Sequence, residues 1–249
     1  YEPSMHADAM ARLELTAQLR KALEDDQVTV VYQPIVDLAT GGVAGLEALV
    51  RWQHPTRGLL PPSEFVALAE SSGLITRLGE RVLTLSLTQA AAWQRSIPGL
   101  GQMRICVNVA GRQLMRDDFV DSVAQAIMQS AIDPSTVVLE VTESVLLPGE
   151  GVTNDRIGEL SRLGLGICID DWGTGWSSLR YLDTLPVSGL KLARDFVAEL
   201  PDARQIGVAR AVLELSNSLQ FDAVIAEGVE TAEQRDTLID LGYRLAQGF

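Results

Sequence analysis

Two adjacent carboxylates, Asp170 and Asp171, close an apolar stretch of the chain and lead directly into a glycine-rich turn. Two carboxylates about 4 Å apart repel each other by roughly 4 kcal/mol at an effective dielectric constant of 20. Such a pair at the end of a buried strand is stabilised only where cations lie close to it. The sequence around Asp170 and Asp171 therefore predicts a charged site that holds a cation.

Polar residues also end most of the other apolar, β-rich segments of the chain. In chain order, the polar residues at the ends of these segments are Glu47, Asn108, Glu140, Asp170 with Asp171, Lys191, Glu227 and Gln247. Enzymes built on α/β barrels carry their chemistry at the carboxyl ends of the strands. We therefore expect the carboxylates of this set to converge on one small volume.

Strand parity predicts which side chains of the fifth strand point inward. Alternate residues of a strand face the same side, so Cys168 and Asp170 share the crowded interior face. Asp171 has the opposite parity and can join Asp170 only where the chain turns at once. Gly173 and Gly175 supply a backbone that permits this turn.

The residue types at these positions restrict the chemistry. Carboxylate and amide oxygens without His or Cys are typical ligands of Mg²⁺, Mn²⁺ or Ca²⁺ rather than of zinc. The only histidines, His6 and His54, lie away from every predicted strand end, which argues against a Ser-His-Asp triad. Two reactions remain open. One is proton abstraction beside a carbonyl group with Lys191 as the base, and the other is phosphodiester hydrolysis by water between two cations.

Each of these residues also has a purely structural interpretation. Asp171 can be a turn residue or a helix cap, and Lys191 can neutralise carboxylates without taking part in a reaction. Glu143 and Glu230 each follow a strand-end glutamate by three residues and can be solvated loop charges. The residues alone do not decide between these interpretations.

Strand-like and helical segments alternate along the chain, which predicts βα units and a parallel sheet. About eight strands without a Pro-, Gly- or Ser-rich linker favour one modified (β/α)8 TIM barrel of the α/β class over a doubly wound open sheet. The first two strand segments, 28–36 and 43–51, have no helix between them, so we expect an antiparallel strand near the N-terminus. Leucines on one face of residues 12–26 predict a helix before the barrel.

The composition excludes several classes of partner. A formal net charge of −13 argues against binding of nucleic acid and against contact of this domain with an anionic membrane. No apolar run approaches the roughly 18 residues that span a bilayer. Cys106 and Cys168 lie within apolar strands without metal-binding spacing, so we expect reduced core residues, as in a cytoplasmic domain.

A series of short motifs runs along the chain. In order, the motifs are YQPIVDL at 32–38, EAL at 47–49, VNVAGRQL at 107–114, LEVTES at 139–144, DDWGTGWSSLRYL at 170–182, LKLAR at 190–194, AEGVET at 226–231 and AQGF at 246–249. Together they resemble the EAL domains, a family of cyclic di-GMP phosphodiesterases. The resemblance spans residues 12–249, and the set of motifs in this order is specific. It implies hydrolysis of one phosphodiester bond of cyclic di-GMP to linear pGpG with Mg²⁺ or Mn²⁺, and inhibition by Ca²⁺.

The resemblance also implies roles for individual residues. Those that would bind a first metal ion are Glu47, Asn108, Glu140 and Asp170, and those that would bind a second are Asp170, Asp171 and Glu227. The catalytic residues would be Lys191, Glu227 and Gln247, with Glu227 as the general base. The nucleotide would contact Gln33, Leu49 and Arg51. Glu143 and Glu230 would stabilise loops, and Glu143 would anchor the segment 171–178, which in this family couples ligand binding to dimerisation.

The resemblance places the domain in a larger setting. Residues 1–26 are expected to form a helix or linker from an upstream region, which in this family is often a sensor or a GGDEF domain. Residues 27–249 would form a cytoplasmic, homodimeric barrel, in a full-length protein that a membrane segment can anchor. The family continues beyond the position of Phe249 into a closing helix, so we expect an incomplete C-terminal end of the barrel.

One position departs from the family pattern. The family usually has Lys-Ile-Asp where this chain has Lys191, Leu192 and Ala193, so one carboxylate is missing. We expect its loss to lower turnover without abolishing metal binding. The alternative function is a non-catalytic receptor that binds cyclic di-GMP and relays the signal to a partner. A third is an interaction domain whose site is vestigial.

Overall fold

The computed structural model describes residues 3–146, 151–173, 182 and 185–248. The strands in this part of the chain are β1 (Val28–Asp37), β2 (Val43–His54), β3 (Gly58–Leu60), β4 (Arg104–Asn108), β5 (Val137–Thr142), β6 (Gly166–Trp172), β7 (Gly189–Leu192), β8 (Ala223–Val229) and β9 (Leu245–Gly248). The α-helices are α1 (Pro3–Glu24), α2 (Val66–Ser72), α3 (Ile75–Ser96), α4 (Gly111–Leu114), α5 (Phe119–Ser130), α6 (Gly151–Arg162), α7 (Arg194–Ala198), α8 (Ala203–Ser218) and α9 (Ala232–Leu241).

Eight of these strands close into a barrel, so the open-sheet alternative is wrong. Strands β2 and β4 to β9 run parallel, whereas β1 is antiparallel to both of its neighbours, β2 and β9. The predicted N-terminal hairpin is confirmed, because β1 and β2 pair directly with Gln33 opposite Glu47. Strand β3 pairs with the end of β2 and lies outside the ring.

The parallel register brings the carboxyl ends of the strands to one opening of the barrel, which we call the C-terminal mouth. Asn108 is the partner of Glu140 across β4 and β5, and Glu227 is the partner of Gln247 across β8 and β9. Polar side chains that are far apart in the sequence are therefore neighbours at this mouth.

An apolar layer closes the barrel beneath the polar mouth. Its buried members are Ile35, Cys106, Val138, Cys168 and Ile225. Both cysteines are free thiols in this layer. A second, larger core lies between the outer face of the strands and the helices and includes Ile105, Leu139 and Ile167. Each fully buried aliphatic side chain contributes about 1.5 to 3 kcal/mol, so the two layers hold the strand ends rigidly.

Helix α1 packs against the barrel through Leu19 and Ala22, which contact the cluster of Trp52 and Phe65.

No described helix is long and apolar enough to cross a membrane.

A capping box fixes the chain where it leaves β8 and enters α9. The Thr231 hydroxyl accepts from the Gln234 N–H, and the Gln234 side chain accepts from the N–H groups of Thr231 and Glu230. These bonds satisfy donors that the first turn of a helix leaves unpaired. The backbone between Glu227 and α9 is thereby held at the C-terminal mouth.

Candidate functional site

Lys191 lies at the centre of the C-terminal mouth, with only 1% of its side chain exposed. Its ammonium nitrogen lies 3.1 Å from carboxylate oxygens of Glu47, Glu140 and Asp170, and 2.6 Å from an oxygen of Glu227. A buried charge without a partner costs several kcal/mol, so the ammonium and the carboxylates stabilise one another. The structure brings together the strand-end residues that sequence reasoning expected to converge.

Amide side chains hold Glu47 at both of its carboxylate oxygens. Asn108 Nδ2 donates to Glu47 Oε1, and Gln247 Nε2 donates to Glu47 Oε2, each at 2.7 Å. Gln247 Nε2 also donates to Gln33 Oε1 at 2.9 Å, and Gln33 Nε2 donates to the carbonyl of Gly248 at 3.3 Å. The network fixes the orientation of Gln247, whose Oε1 has no hydrogen-bond partner among the described residues.

Asp170, Asp171 and Glu227 form an acidic cluster beside Lys191, in which one carboxylate oxygen of each residue lies within 4.8 Å of the others. Asp171 joins the cluster because its own backbone is left-handed, with a φ of 52°. Its N–H donates to Asp170 Oδ1 at 3.0 Å. The expected sharp turn therefore begins at Asp171, before Gly173, and aspartate tolerates this conformation better than most residues.

The donors at this mouth suit a hard divalent cation. All of the candidate ligand atoms are oxygens, and three carboxylates share a small volume. Glu140 Oε1 is buried and has no hydrogen-bond partner in the described part of the chain. A cation beside it would satisfy this oxygen, so the residues fit Mg²⁺ or Mn²⁺.

Burial and mutual repulsion shift the pKa values of the cluster. Burial raises the pKa of Glu140 well above its usual range and raises the pKa of Glu227 to about 7, in both cases against the attraction of Lys191. Burial and the charge of Asp170 raise the pKa of Asp171. Burial alone would lower the pKa of Lys191, but the surrounding carboxylates outweigh it and raise this pKa, so the ammonium stays charged.

The raised pKa of Glu227 predicts that the stability of the cation-free protein depends on pH. The pKa is about 7 in the folded chain against the ordinary 4.5, so the folded state binds the proton more tightly. This contribution is complete below about pH 4.5 and is lost as the pH rises through about 7. Between about pH 5 and pH 8, we expect the contribution of Glu227 to the free energy of unfolding in chelator to fall by about 2 to 3 kcal/mol.

Urea denaturation at a series of pH values measures this change. Saturating Mg²⁺ should flatten the profile at neutral pH, because a bound cation replaces the proton. In chelator, Glu227→Gln should remove the part of this pH dependence that Glu227 causes. A slope that Glu227→Gln leaves unchanged would show that another group carries it.

The Glu143 side chain contacts Gly173, two residues after Asp171. Its carboxylate is buried, and Oε2 accepts from the N–H of Gly173 at 3.2 Å. This is a contact expected of a residue that anchors the segment 171–178. Residues 174–181 lie outside the described residues, so any further contact between Glu143 and this segment stays a prediction.

A cleft of about 250 Å³ opens beside the acidic cluster, and its wall includes Gln33, Leu49, Arg194, Glu227 and Glu230. Two of the three predicted nucleotide contacts, Gln33 and Leu49, thus line one cleft. The third, Arg51, is two residues from Leu49 on β2, so both side chains lie on the same face of the strand. Its Nη1 donates to the carbonyl of Val50 at 2.8 Å.

Arg194 is a cleft residue that sequence reasoning missed. It begins α7, separated from the end of β7 only by Ala193, and its Nη2 lies 2.7 Å from Glu230 Oε1. The Glu230 carboxylate, expected to stabilise a loop, thus pairs with Arg194. The only signal in the sequence was position, since Arg194 follows Lys191 by three residues at the end of a strand that carries site chemistry.

Comparisons with known proteins agree with this arrangement. The family model described as EAL domain matches residues 16–249. The bifunctional diguanylate cyclase/cyclic di-GMP phosphodiesterase MucR of Pseudomonas aeruginosa is 41% identical over 250 residues, which cover 100% of this chain and 36% of MucR. The cyclic di-GMP phosphodiesterase NbdA of the same organism is 39% identical over 242 residues, which cover 97% of this chain and 30% of NbdA. The chain spans about a third of the length of these curated relatives.

Solved structures share the barrel. A complex of the MucR phosphodiesterase with cyclic di-GMP has a TM-score of 0.89 and 40% identity and covers 95% of each chain. The EAL enzyme Bd1971, in a form bound to cAMP and cyclic di-GMP, has a TM-score of 0.90 and 31% identity and covers 97% of this chain and 65% of that one. Together with the family model, these matches show that the chain belongs to the EAL domain family.

Proposed function

We propose that the chain is a metal-dependent phosphodiesterase that hydrolyses one phosphodiester bond of cyclic di-GMP to linear pGpG. The observation that carries this proposal is the cluster of Asp170, Asp171 and Glu227 beside the buried ammonium of Lys191. MucR and NbdA, which are named as cyclic di-GMP phosphodiesterases, support the same substrate and the same reaction.

The oxygen donors of the mouth divide into two sets of candidate metal ligands. Glu47, Asn108, Glu140 and Asp170 would hold one Mg²⁺ or Mn²⁺, and Asp170, Asp171 and Glu227 would hold the other. When bound, the two ions supply Lewis acidity that lowers the pKa of water and stabilises the charge of the reacting phosphate. Asp170 is the ligand that the two sets share.

The chain's own residues bind and orient the reactants. Glu227, in the carboxylate cluster, accepts a proton from the attacking water. Gln247 directs its unpaired Oε1 towards water or metal, while the contacts of Gln33 and Asn108 hold the amide network. Lys191 keeps the carboxylates together and positions or polarises the attacking water.

The nucleotide occupies the cleft beside the cluster. In this proposal, Gln33 and Leu49 contact it from the cleft wall and Arg51 contacts it from the same strand as Leu49. Glu143 anchors the segment after Asp171 through Gly173, and this segment couples ligand binding to a homodimer. An upstream sensor or GGDEF domain, joined through residues 1–26, would regulate the barrel of residues 27–249.

A receptor that binds cyclic di-GMP without hydrolysing it is the second candidate function. The observation in its favour is Ala193, which stands where the family usually carries an aspartate. The two functions differ in whether bound nucleotide is consumed when Mg²⁺ or Mn²⁺ is present.

Restoring the family carboxylate through Ala193→Asp is expected to raise kcat/KM about tenfold, the scale of groups that support metal ligands. Ala193 is buried and precedes α7 as its N-cap residue, without a side-chain hydrogen bond to the helix. Aspartate there adds a buried carboxylate two residues from Lys191, on the same face of the strand end, so we expect its repulsion from the cluster to offset the roughly 1 kcal/mol of a helix cap in the cation-free protein. Steady-state kinetics and thermal unfolding measure the two effects separately.

The matched control is Ala193→Ser, which caps the helix without adding a charge. It should raise stability and leave kcat/KM at the wild-type value. Equal turnover in wild type and Ala193→Asp would mean that the missing carboxylate does not limit this site.

Incubation of the purified chain with cyclic di-GMP, followed by chromatography, tests the proposed function. With Mg²⁺ or Mn²⁺ we expect pGpG to accumulate, and with Ca²⁺ or a chelator we expect no product. Saturable binding without loss of cyclic di-GMP in any of these metals would support the receptor and contradict the phosphodiesterase.

A further inference from the structure

Arg194 presents a cation on the wall of the cleft. It is the first residue of α7 and follows β7, the strand that carries Lys191. Its side chain is 66% exposed, so the guanidinium is accessible from the cleft that Leu49 and Glu227 also line. Arg194 therefore lies within reach of a molecule bound beside the acidic cluster.

Contacts on two sides hold the Arg194 side chain in this place. Gly228 has a φ of 70°, and a Cβ at that position would lie 2.3 Å from Arg194 Cγ. The aliphatic part of the Arg194 side chain therefore packs where any side chain at position 228 would clash with it. Glu230 accepts from Nη2 at 2.7 Å. A guanidinium has five N–H donors in a planar fork, so one carboxylate contact leaves donors for an anion.

The charge of the cleft creates a need for this cation. Glu47, Glu227 and Glu230 make the wall acidic, and the ammonium of Lys191 is already engaged by four carboxylates. Cyclic di-GMP carries two phosphates, and hydrolysis places one of them at the acidic cluster. The other phosphate lies across the ring of the nucleotide, away from the cluster, and Arg194 is the only arginine or lysine among the described residues that line the cleft.

We infer that Arg194 binds the phosphate of cyclic di-GMP that is not hydrolysed, an inference that rests on the proposed function. Glu230 and Gly228 position the guanidinium, and the planar fork matches two phosphate oxygens. Arg194 is accordingly a substrate-binding residue. Its loss should weaken nucleotide binding far more than it slows the reaction of bound nucleotide.

The test is calorimetric binding of cyclic di-GMP in Ca²⁺, in which turnover is expected to stop. Arg194→Met should weaken binding by about 10- to 100-fold, the range for hydrogen bonds to charged groups. Arg194→Lys keeps the charge without the fork and should recover part of the loss. With Mg²⁺, kcat at saturating nucleotide should stay within about threefold of wild type while KM rises.

The matched control is Arg244→Met. Arg244 is another exposed arginine beside a carboxylate, Asp37, but it precedes β9 and lies at the opposite end of the barrel. Its replacement should leave nucleotide affinity unchanged, which separates a phosphate contact from a general effect of net charge.

Two outcomes would overturn the inference alone, while wild type still binds and hydrolyses cyclic di-GMP. One is an affinity of Arg194→Met within about twofold of wild type, and the other is an equal loss in Arg244→Met, since a removed phosphate contact costs at least tenfold. Wild-type protein that neither binds nor hydrolyses cyclic di-GMP would overturn the proposed function itself.

Discussion

Asp171→Asn is expected to lower kcat for cyclic di-GMP hydrolysis by about 10³-fold or more, while nucleotide affinity stays within about fivefold of wild type. The substitution removes one negative charge from the cluster that Asp171 forms with Asp170 and Glu227. It leaves the backbone intact, because asparagine adopts the left-handed conformation of this position as readily as aspartate. The loss therefore reports on the charge and not on the turn.

Asp26→Asn is a matched control for this prediction. Asp26 also has a left-handed backbone, with a φ of 55°, and pairs with Arg81 outside the mouth. Its substitution should leave both kcat and affinity unchanged. If Asp171→Asn loses binding and thermal stability together, Asp171 is a folding residue and the proposed metal role is wrong.

Lys191→Met is expected to destabilise the cation-free protein by about 3 to 5 kcal/mol, because four carboxylates lose the ammonium that they surround. For a chain of this size, the loss corresponds to a fall in the unfolding temperature of about 10 °C. Saturating Mg²⁺ or Mn²⁺ should recover most of the difference, since a divalent cation offsets the same negative charge. Thermal unfolding with metal and with chelator measures both effects.

The chain contains a second lysine that serves as the control. Lys21 is exposed on α1 and lies 4.0 Å from Asp25. Exposed pairs of this kind contribute about 0 to 1 kcal/mol, so Lys21→Met should change little. A Lys191→Met protein as stable as wild type in chelator would contradict the account of the buried ammonium. A loss that metal does not recover would contradict the metal site.

The barrel was predictable because its signals are long and periodic. The alternation of strand-like and helical segments predicted the parallel strands, and the hairpin of β1 and β2 follows from the short connection between two strand patterns. The convergence of Glu47, Glu140, Asp170 and Glu227 follows from parity and from the common direction of parallel strands. Both predictions depend only on the order of the residues and on the period of two along a strand, and not on any distance between atoms.

Short elements and single-residue geometry were not predictable in the same way. Strand β3 and helix α7 are too short to carry a period, and the arginine that begins α7 was missed with it. Sequence parity predicted a turn between Asp170 and Gly175 but not that Asp171 itself takes the left-handed backbone. The pairing of Glu230 with Arg194 depends on where two loops meet, which no local pattern encodes.

In the proposed reaction, water activated at the carboxylate cluster of the C-terminal mouth hydrolyses one bond of cyclic di-GMP. Mass spectrometry of the product formed in ¹⁸O-labelled water follows the oxygen atom that this water contributes. We expect pGpG with a single ¹⁸O atom in its 5′-phosphate, formed with Mg²⁺ or Mn²⁺ and absent from Asp171→Asn reactions over the same time. Unlabelled product, or bound cyclic di-GMP that is never consumed in either metal, would contradict it.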